Sequence, residues 1–184
     1  MLAAGSLLDA GADELVDAAA AAGFDGIGLR LSAAHRVDAD RIDALRARIA
    51  GHGLVVHDAE VHRIDATGTD PDPLIEAAVA LGARHLLIVS DLADGAATER
   101  PLAAVAQRCR DAGIAPAVEY MAWTTPNRPR RAVELATAAG CLVVVDALHH
   151  HRVGGTADDV TAIVDAGVFG WLQLCDAVAD APRD

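Results

Sequence analysis

The stretch AVELATAAGCLVVVD, residues 132–146, holds the smallest unit from which the fold can be read. An Ala-rich helical pattern stops at Gly140, an apolar run begins at Cys141, and the run ends on a carboxylate, Asp146. A glycine directly after a helix takes the positive φ of a C-cap at little steric cost. An apolar run this short, without polar alternation, suits a strand covered on both faces, as in parallel sheets.

The same punctuation recurs along the chain. Glycines 23, 53, 82, 113, 140 and 167 each end a helical stretch, at spacings of 30, 29, 31, 27 and 27 residues. Strand candidates follow at 25–31, 54–61, 84–90, 114–120, 141–146 and 169–175. Amphipathic patterns lie between them: Ile42, Leu45 and Ile49 share one helical face, as do Leu74, Ala78 and Leu81, and Leu102, Val105 and Cys109. A first helix is expected at 12–22, and 2–6 adds a short opening strand, giving seven strands. Thr98 or Glu99 is expected to cap a helix with Pro101 in its first turn. Pro116 lacks the N–H that a ladder needs, which places it near the start of its strand.

Strands alternating with helices about every 30 residues imply right-handed parallel βαβ units. The regular period, with no G-x-G-x-x-G turn, favours a (β/α) barrel over an open doubly wound sheet. A full barrel has eight strands and about 250 residues. The expectation is therefore an α/β fold, a single incomplete barrel domain over 1–184 with its eighth strand missing. Exposed edges of apolar strands invite pairing, so a homo-oligomer covering them is expected.

Composition narrows the function. Apolar residues make up 53% of the chain and aromatics only 3%, so the core must be aliphatic. A net charge of −12 opposes a nucleic-acid surface. There is no lysine, which excludes Schiff-base chemistry and a P-loop. Cys109, Cys141 and Cys175 are isolated within apolar runs and read as buried reduced thiols. No signal-peptide pattern opens the chain and no run approaches the ~20 apolar residues of a membrane span, so the expected compartment is the cytoplasm.

In a barrel, catalytic groups stand at the C-terminal ends of the strands and on the loops that follow. Those positions carry Asp58, Glu60 and His62; Ser90 and Asp91; Glu119, Tyr120, Met121 and Trp123; Asp146 and the tract His149–Arg152; then Gln173 and Asp176. Glu119 and Asp146 are the sharpest signals, because each ends an apolar strand and a buried carboxylate needs neutralising. A divalent cation held by carboxylate oxygens at about 2.0–2.2 Å is one solution; bridging to an arginine such as Arg152 is another. His62 faces the mouth of the expected barrel. His150 and His151 read as exposed, His35, His52, His57 and His85 as structural or solvated, and Gly154-Gly155 as a weak candidate for an anion-binding turn.

Several segments, in order and at barrel spacing, carry a resemblance. They are LAAGSL at 2–7, AGFDGIGLR at 22–30, ALGA at 80–83, VEYMAWT at 118–124, VDALH at 145–149 and LQLCD at 172–176. The chain resembles the sugar-phosphate isomerase/epimerase group of xylose-isomerase-like TIM barrels, relatives of the endonuclease IV fold, through essentially its whole length. The resemblance implies a parallel (β/α) TIM-type barrel with about seven strands present. It implies a divalent metal held by Glu119 and Asp146, with Gln173 where the family usually has histidine and the strand-eight glutamate missing. A glutamine carbonyl suits Mn²⁺ or Mg²⁺ better than Zn²⁺. Glu119 is then also the base that moves a proton α to a carbonyl, and His149 contacts the substrate, with Arg152, Trp123 and His62 as further contacts. The implied activity is isomerisation or epimerisation of a sugar, sugar phosphate or related hydroxy-carbonyl compound through an enediolate. The alternatives are a keto-polyol dehydratase on the same scaffold and a degenerate barrel that binds a ligand or partner without turnover.

Overall fold

A computed structural model describes residues 1–31 and 38–175. His35 and Asp176, singled out in the sequence, lie outside them. Six strands form one all-parallel sheet in chain order: β1 Gly26–Arg30, β2 Val55–Ile64, β3 His85–Ser90, β4 Ala115–Glu119, β5 Leu142–Asp146 and β6 Phe169–Gln173. Helices alternate with them: α1 Ala12–Ala21, α2 Ala39–Gly51, α3 Asp72–Ala80, α4 Ala96–Asp111 and α5 Pro129–Ala139, then α6 Ala147–Arg152 and α7 Ala157–Asp165 between β5 and β6. The sheet curves into a half-barrel of the (β/α) type, as the repeated unit implies. No helix among the described residues is long and apolar enough to cross a membrane.

The local chemistry follows the punctuation. The six glycines after α1, α2, α3, α4, α5 and α7 all have φ between 67° and 80°, and a Cβ there would be strained. At α1 the last turn closes by Gly23 N–H to Ala20 O and Phe24 N–H to Ala19 O, the pattern of a Schellman cap.

Two expectations at helix and strand starts change. The stretch 2–6 is not a full strand: Leu2 makes one parallel bridge to Ile27, and Ala4–Leu7 then coils into a 3₁₀ turn. Helix α4 begins at Ala96 rather than at Thr98 or Glu99, so Pro101 is an interior residue. Thr98 is fully buried, bonded to Ser90 Oγ and donating to Ala93 O. That polar anchorage extends the helix start past the proline signal.

Strand alternation sorts the core into two layers. Val143 and Val145 of β5 and Val118 of β4 face the helices, joining Leu102, Cys109, Leu135 and Ile163. Fully burying one such side chain contributes about 1.5–3 kcal/mol. The intervening residues Leu87, Ala117, Val144 and Trp171 point to the barrel interior and pack together with Val61 and Leu142. Next to them, His57, His85 and Trp171 stack their rings at 4.5–4.9 Å. Pro116 is the second residue of β4, as its missing donor requires. Cys109 and Cys141 are buried thiols, but Cys175 is exposed, because it follows β6, which has no outer partner strand among the described residues. Phe169, Leu172 and Leu174 at that edge are 38%, 48% and 78% exposed.

Candidate functional site

The period of two that builds the interior layer also builds the site. Two residues beyond Ala117, Val144 and Trp171 come Glu119, Asp146 and Gln173, each on the same face of its strand and at its C-terminal end. All three line a cleft of about 440 Å³, with Trp123, His149, Arg30 and Glu60 among the other walls. A cavity of that size accommodates a small organic ligand.

Glu119 is 6% exposed and Asp146 9%. The side chain of Asp146 caps α6, Oδ1 accepting from His149 N–H at 2.9 Å. That bond fixes the carboxylate and starts the turn that carries His149. The His149 ring stands with Nε2 4.0 Å from Glu119 Oε1 and lies edge-on to Trp123 at 5.2 Å. Ligating atoms of Glu119, Asp146 and His149 all fall within 4.8 Å of one another. The two carboxylates therefore do converge, and His149 joins them.

Electrostatics sets these groups apart from ordinary surface residues. Burial pushes the Glu119 carboxyl up to about 8, and the charges of Asp146, Glu60 and Asp58 add to it. His149 is pushed below its ordinary value by burial and by Arg152, against the pull of Asp146, which favours the neutral imidazole. Its Nδ1 is buried with no hydrogen-bond partner among the described residues. A buried carboxylate pair beside an imidazole with an unpartnered nitrogen fits a divalent cation. The cation would offset the two negative charges, and neutral imidazole is the ligating form.

The other sequence candidates divide. Trp123 lines the cleft and is 59% exposed, an apolar wall open to a ligand. Arg152 ends α6 outside the cleft lining. His62 is 4% exposed in β2, opposite Ile88, and is also outside the lining. His57 and His85 belong to the interior ring cluster, and burial lowers His57 to about 4. His150 is not merely exposed: its ring bonds Tyr120 and Thr156.

Sequence reasoning left one pair of residues without a role. Asp58 and Glu60 of β2 are 1% and 4% exposed, and Glu60 accepts from Arg30 Nη2 at 3.3 Å on the cleft wall. Burial raises Asp58 to about 8, reinforced by the Glu60 charge; burial also raises Glu60, while Arg30 pulls it down. Gly28 makes room for them, since a Cβ there would meet Asp58 Oδ1 at 2.8 Å. The i, i+2 spacing of two carboxylates in an apolar strand was the available signal.

A family model described as xylose isomerase-like TIM barrel matches residues 16–183. No curated protein matches the chain in sequence. Among solved structures, a xylose isomerase-like TIM barrel/4-hydroxyphenylpyruvate dioxygenase fusion protein superposes with a TM-score of 0.75 at 20% identity, over 99% of this chain and 32% of its own. The probable 3-DHS dehydratase of petrobactin synthesis from Bacillus anthracis gives 0.75 at 14%, over 93% and 70%. D-allulose 3-epimerase from Methylomonas sp. gives 0.69 at 19%, over 89% and 66%. The chain thus spans about a third of the fusion protein and about two thirds of the other two.

Proposed function

The chain belongs to the family of xylose isomerase-like TIM barrels, and from that premise we propose that it is a divalent-metal-dependent isomerase or epimerase of a small sugar, sugar phosphate or related hydroxy-carbonyl compound. The observation that carries this reading is the convergence of Glu119, Asp146 and His149 in one cleft. Glu119 and Asp146 hold the cation with Gln173 beside them, and the amide carbonyl of Gln173 favours Mn²⁺ or Mg²⁺ over Zn²⁺. A bound cation supplies Lewis acidity toward the substrate carbonyl. Glu119, which a bound cation would hold as the carboxylate, takes the proton from the carbon next to that carbonyl. His149, whose ligating atom falls within 4.8 Å of those of both carboxylates, borders the same cation and contacts the substrate oxygens beside it, and Trp123 covers an apolar face of the sugar. Arg152 and His62, expected from the sequence as further substrate contacts, lie outside the cleft lining and take no part in this reading.

A second reading, dehydration of a keto-polyol, is supported by the similarity to a probable dehydratase. It uses the same first step, proton removal α to a carbonyl; the hydroxyl on the next carbon then leaves as water, taking up the proton held by Glu119, as the enediolate electrons form the new C=C bond. The acidic chain works in the cytoplasm without nucleic-acid or membrane partners. The exposed Phe169, Leu172 and Leu174 support pairing of two copies along β6. Light scattering on the eluting protein is expected to give twice the chain mass, and a monomer at all concentrations would remove the pairing.

The first test is Mn²⁺ added to chelator-treated protein. At 100 times its Kd a single-site ligand stabilises by about 2.7 kcal/mol, which for a chain of this size raises Tm by about 5–10 °C. Incubating the loaded protein with ketoses and their phosphates in heavy water should then place deuterium at the carbon next to the carbonyl. Loss of water from the substrate would select the dehydratase reading instead. No Mn²⁺ shift would leave a ligand-binding barrel without turnover.

A further inference from the structure

Behind the cleft, a second cross-link joins the same two segments that carry the site. Glu119 and Tyr120 are consecutive at the end of β4, and His149 and His150 are consecutive in α6. Glu119 and His149 face the cleft. Tyr120 and His150 turn away from it: Tyr120 is fully buried, and its hydroxyl lies 2.7 Å from His150 Nδ1. The far nitrogen, Nε2, is 3.0 Å from Thr156 O.

Donor and acceptor roles in this chain are fixed by what each end offers. Thr156 O only accepts, so Nε2 carries the hydrogen; Nδ1 is then the acceptor for the Tyr120 hydroxyl. Thr156 is itself the N-cap of α7, its hydroxyl accepting from Asp159 N–H while the Asp159 carboxylate accepts from Thr156 N–H. The imidazole therefore ties the end of β4 to the start of α7. Its seat requires Gly155, where a Cβ would stand 2.3–2.5 Å from three ring atoms of His150. Gly155 N–H also returns to His150 O at 2.8 Å. The Gly154-Gly155 turn is thus shaped for the imidazole.

We propose that Tyr120 and His150, seated on Gly155, are positioning residues that set the separation of Glu119, Asp146 and His149. The inference rests on the metal-site reading of that trio. With α6 pinned at Asp146 and at His150, the intervening His149 has one orientation toward Glu119. Without the second pin, α6 is a six-residue turn held mainly by its N-cap. Groups bonded directly to a metal ligand typically govern affinity by about 10–100-fold; Tyr120 and His150 act one residue away along the chain from Glu119 and His149, so an effect at the lower end, about tenfold, is expected.

The experiment compares Mn²⁺ affinity, the Co²⁺ visible spectrum and imidazole ring NMR for wild type, Tyr120→Phe, His150→Asn, His150→Gln and Gly155→Ala. Asparagine places its amide oxygen where Nδ1 stood and keeps the acceptor for Tyr120; glutamine reaches only toward Thr156. Tyr120→Phe, His150→Gln and Gly155→Ala are expected to weaken Mn²⁺ binding about tenfold and to change the Co²⁺ spectrum, while His150→Asn keeps most of both. In metal-free Tyr120→Phe the His149 ring resonances should move. A lower Tm in all four variants with unchanged Mn²⁺ affinity, Co²⁺ spectrum and His149 resonances would mean that the link is structural only, and overturns the proposal. If instead Glu119→Gln leaves Co²⁺ binding intact, the metal reading fails by itself, and the His149 resonances still decide whether the link orients that ring.

Discussion

Glutamine in place of Glu119 is expected to reduce deuterium incorporation next to the ketose carbonyl by about 10²–10⁴-fold, the usual contribution of a positioned base. Mn²⁺ binding should weaken in the same variant, because the amide offers the cation a neutral oxygen instead of a charged one. The metal-free fold should not suffer. In the wild type, this buried carboxyl pays a desolvation cost whenever it ionises, a cost visible in its displacement to about 8, and the amide has the same shape without the charge. The pairing of lost chemistry with retained or improved stability separates a functional carboxylate from a structural one. Asp146→Ala is a useful contrast, since Asp146 also caps α6 through His149 N–H, and removing that acceptor should cost helix order as well as affinity. Exchange at the wild-type rate in Glu119→Gln would remove this residue from the chemistry.

Much of the fold was legible because one grammar repeats. The six glycines that close the expected helices all take positive φ, and the apolar run after each is a strand within a residue or two of its expected limits, except that β2 runs on to Ile64, three residues past its expected end. The opening stretch at 2–6 escaped that grammar. It has no helix and glycine before it, and a single bridge to Ile27 is all the pairing it makes. Glu119, Asp146 and Gln173 were readable because polar residues at the ends of apolar strands stand out. Asp58 and Glu60 were visible as residues but not as a buried pair, since β2 also carries His57, His62 and Arg63, and its register shifts between Ala59 and His62. Sequence alone does not say which of those polar groups turn inward. His150 was hidden for a different reason. The resemblance sets His149 apart, but His150 and His151 look equivalent in sequence, and only the partner of its ring, Tyr120, gives His150 a place in the structure.

The buried pair in β2 leads to the second large effect, a dependence of stability on pH that Asp58→Asn should reshape. Asp58 titrates near 3.8 in an unfolded chain and at about 8 here, because burial disfavours its charge and Glu60 repels it. Between those limits the folded protein holds a proton that the unfolded chain has released. Stability therefore falls as pH rises, by at most about 1.4 kcal/mol per pH unit for one such group. Metal-free Glu119 contributes in the same direction, and Glu60 does so more weakly because Arg30 opposes the shift. His57 runs the other way. It is held near 4 by burial and by His85, so it costs stability only as pH drops below about 6.5. Asparagine keeps the shape that fits against Gly28 and never ionises. Urea unfolding with chelator present should show the variant gaining stability relative to wild type from about pH 4 upward, with the gap levelling off above about pH 8. Two parallel curves across that interval would mean that Asp58 holds no proton in the folded state, and that the inner face of β2 is more hydrated than its burial implies.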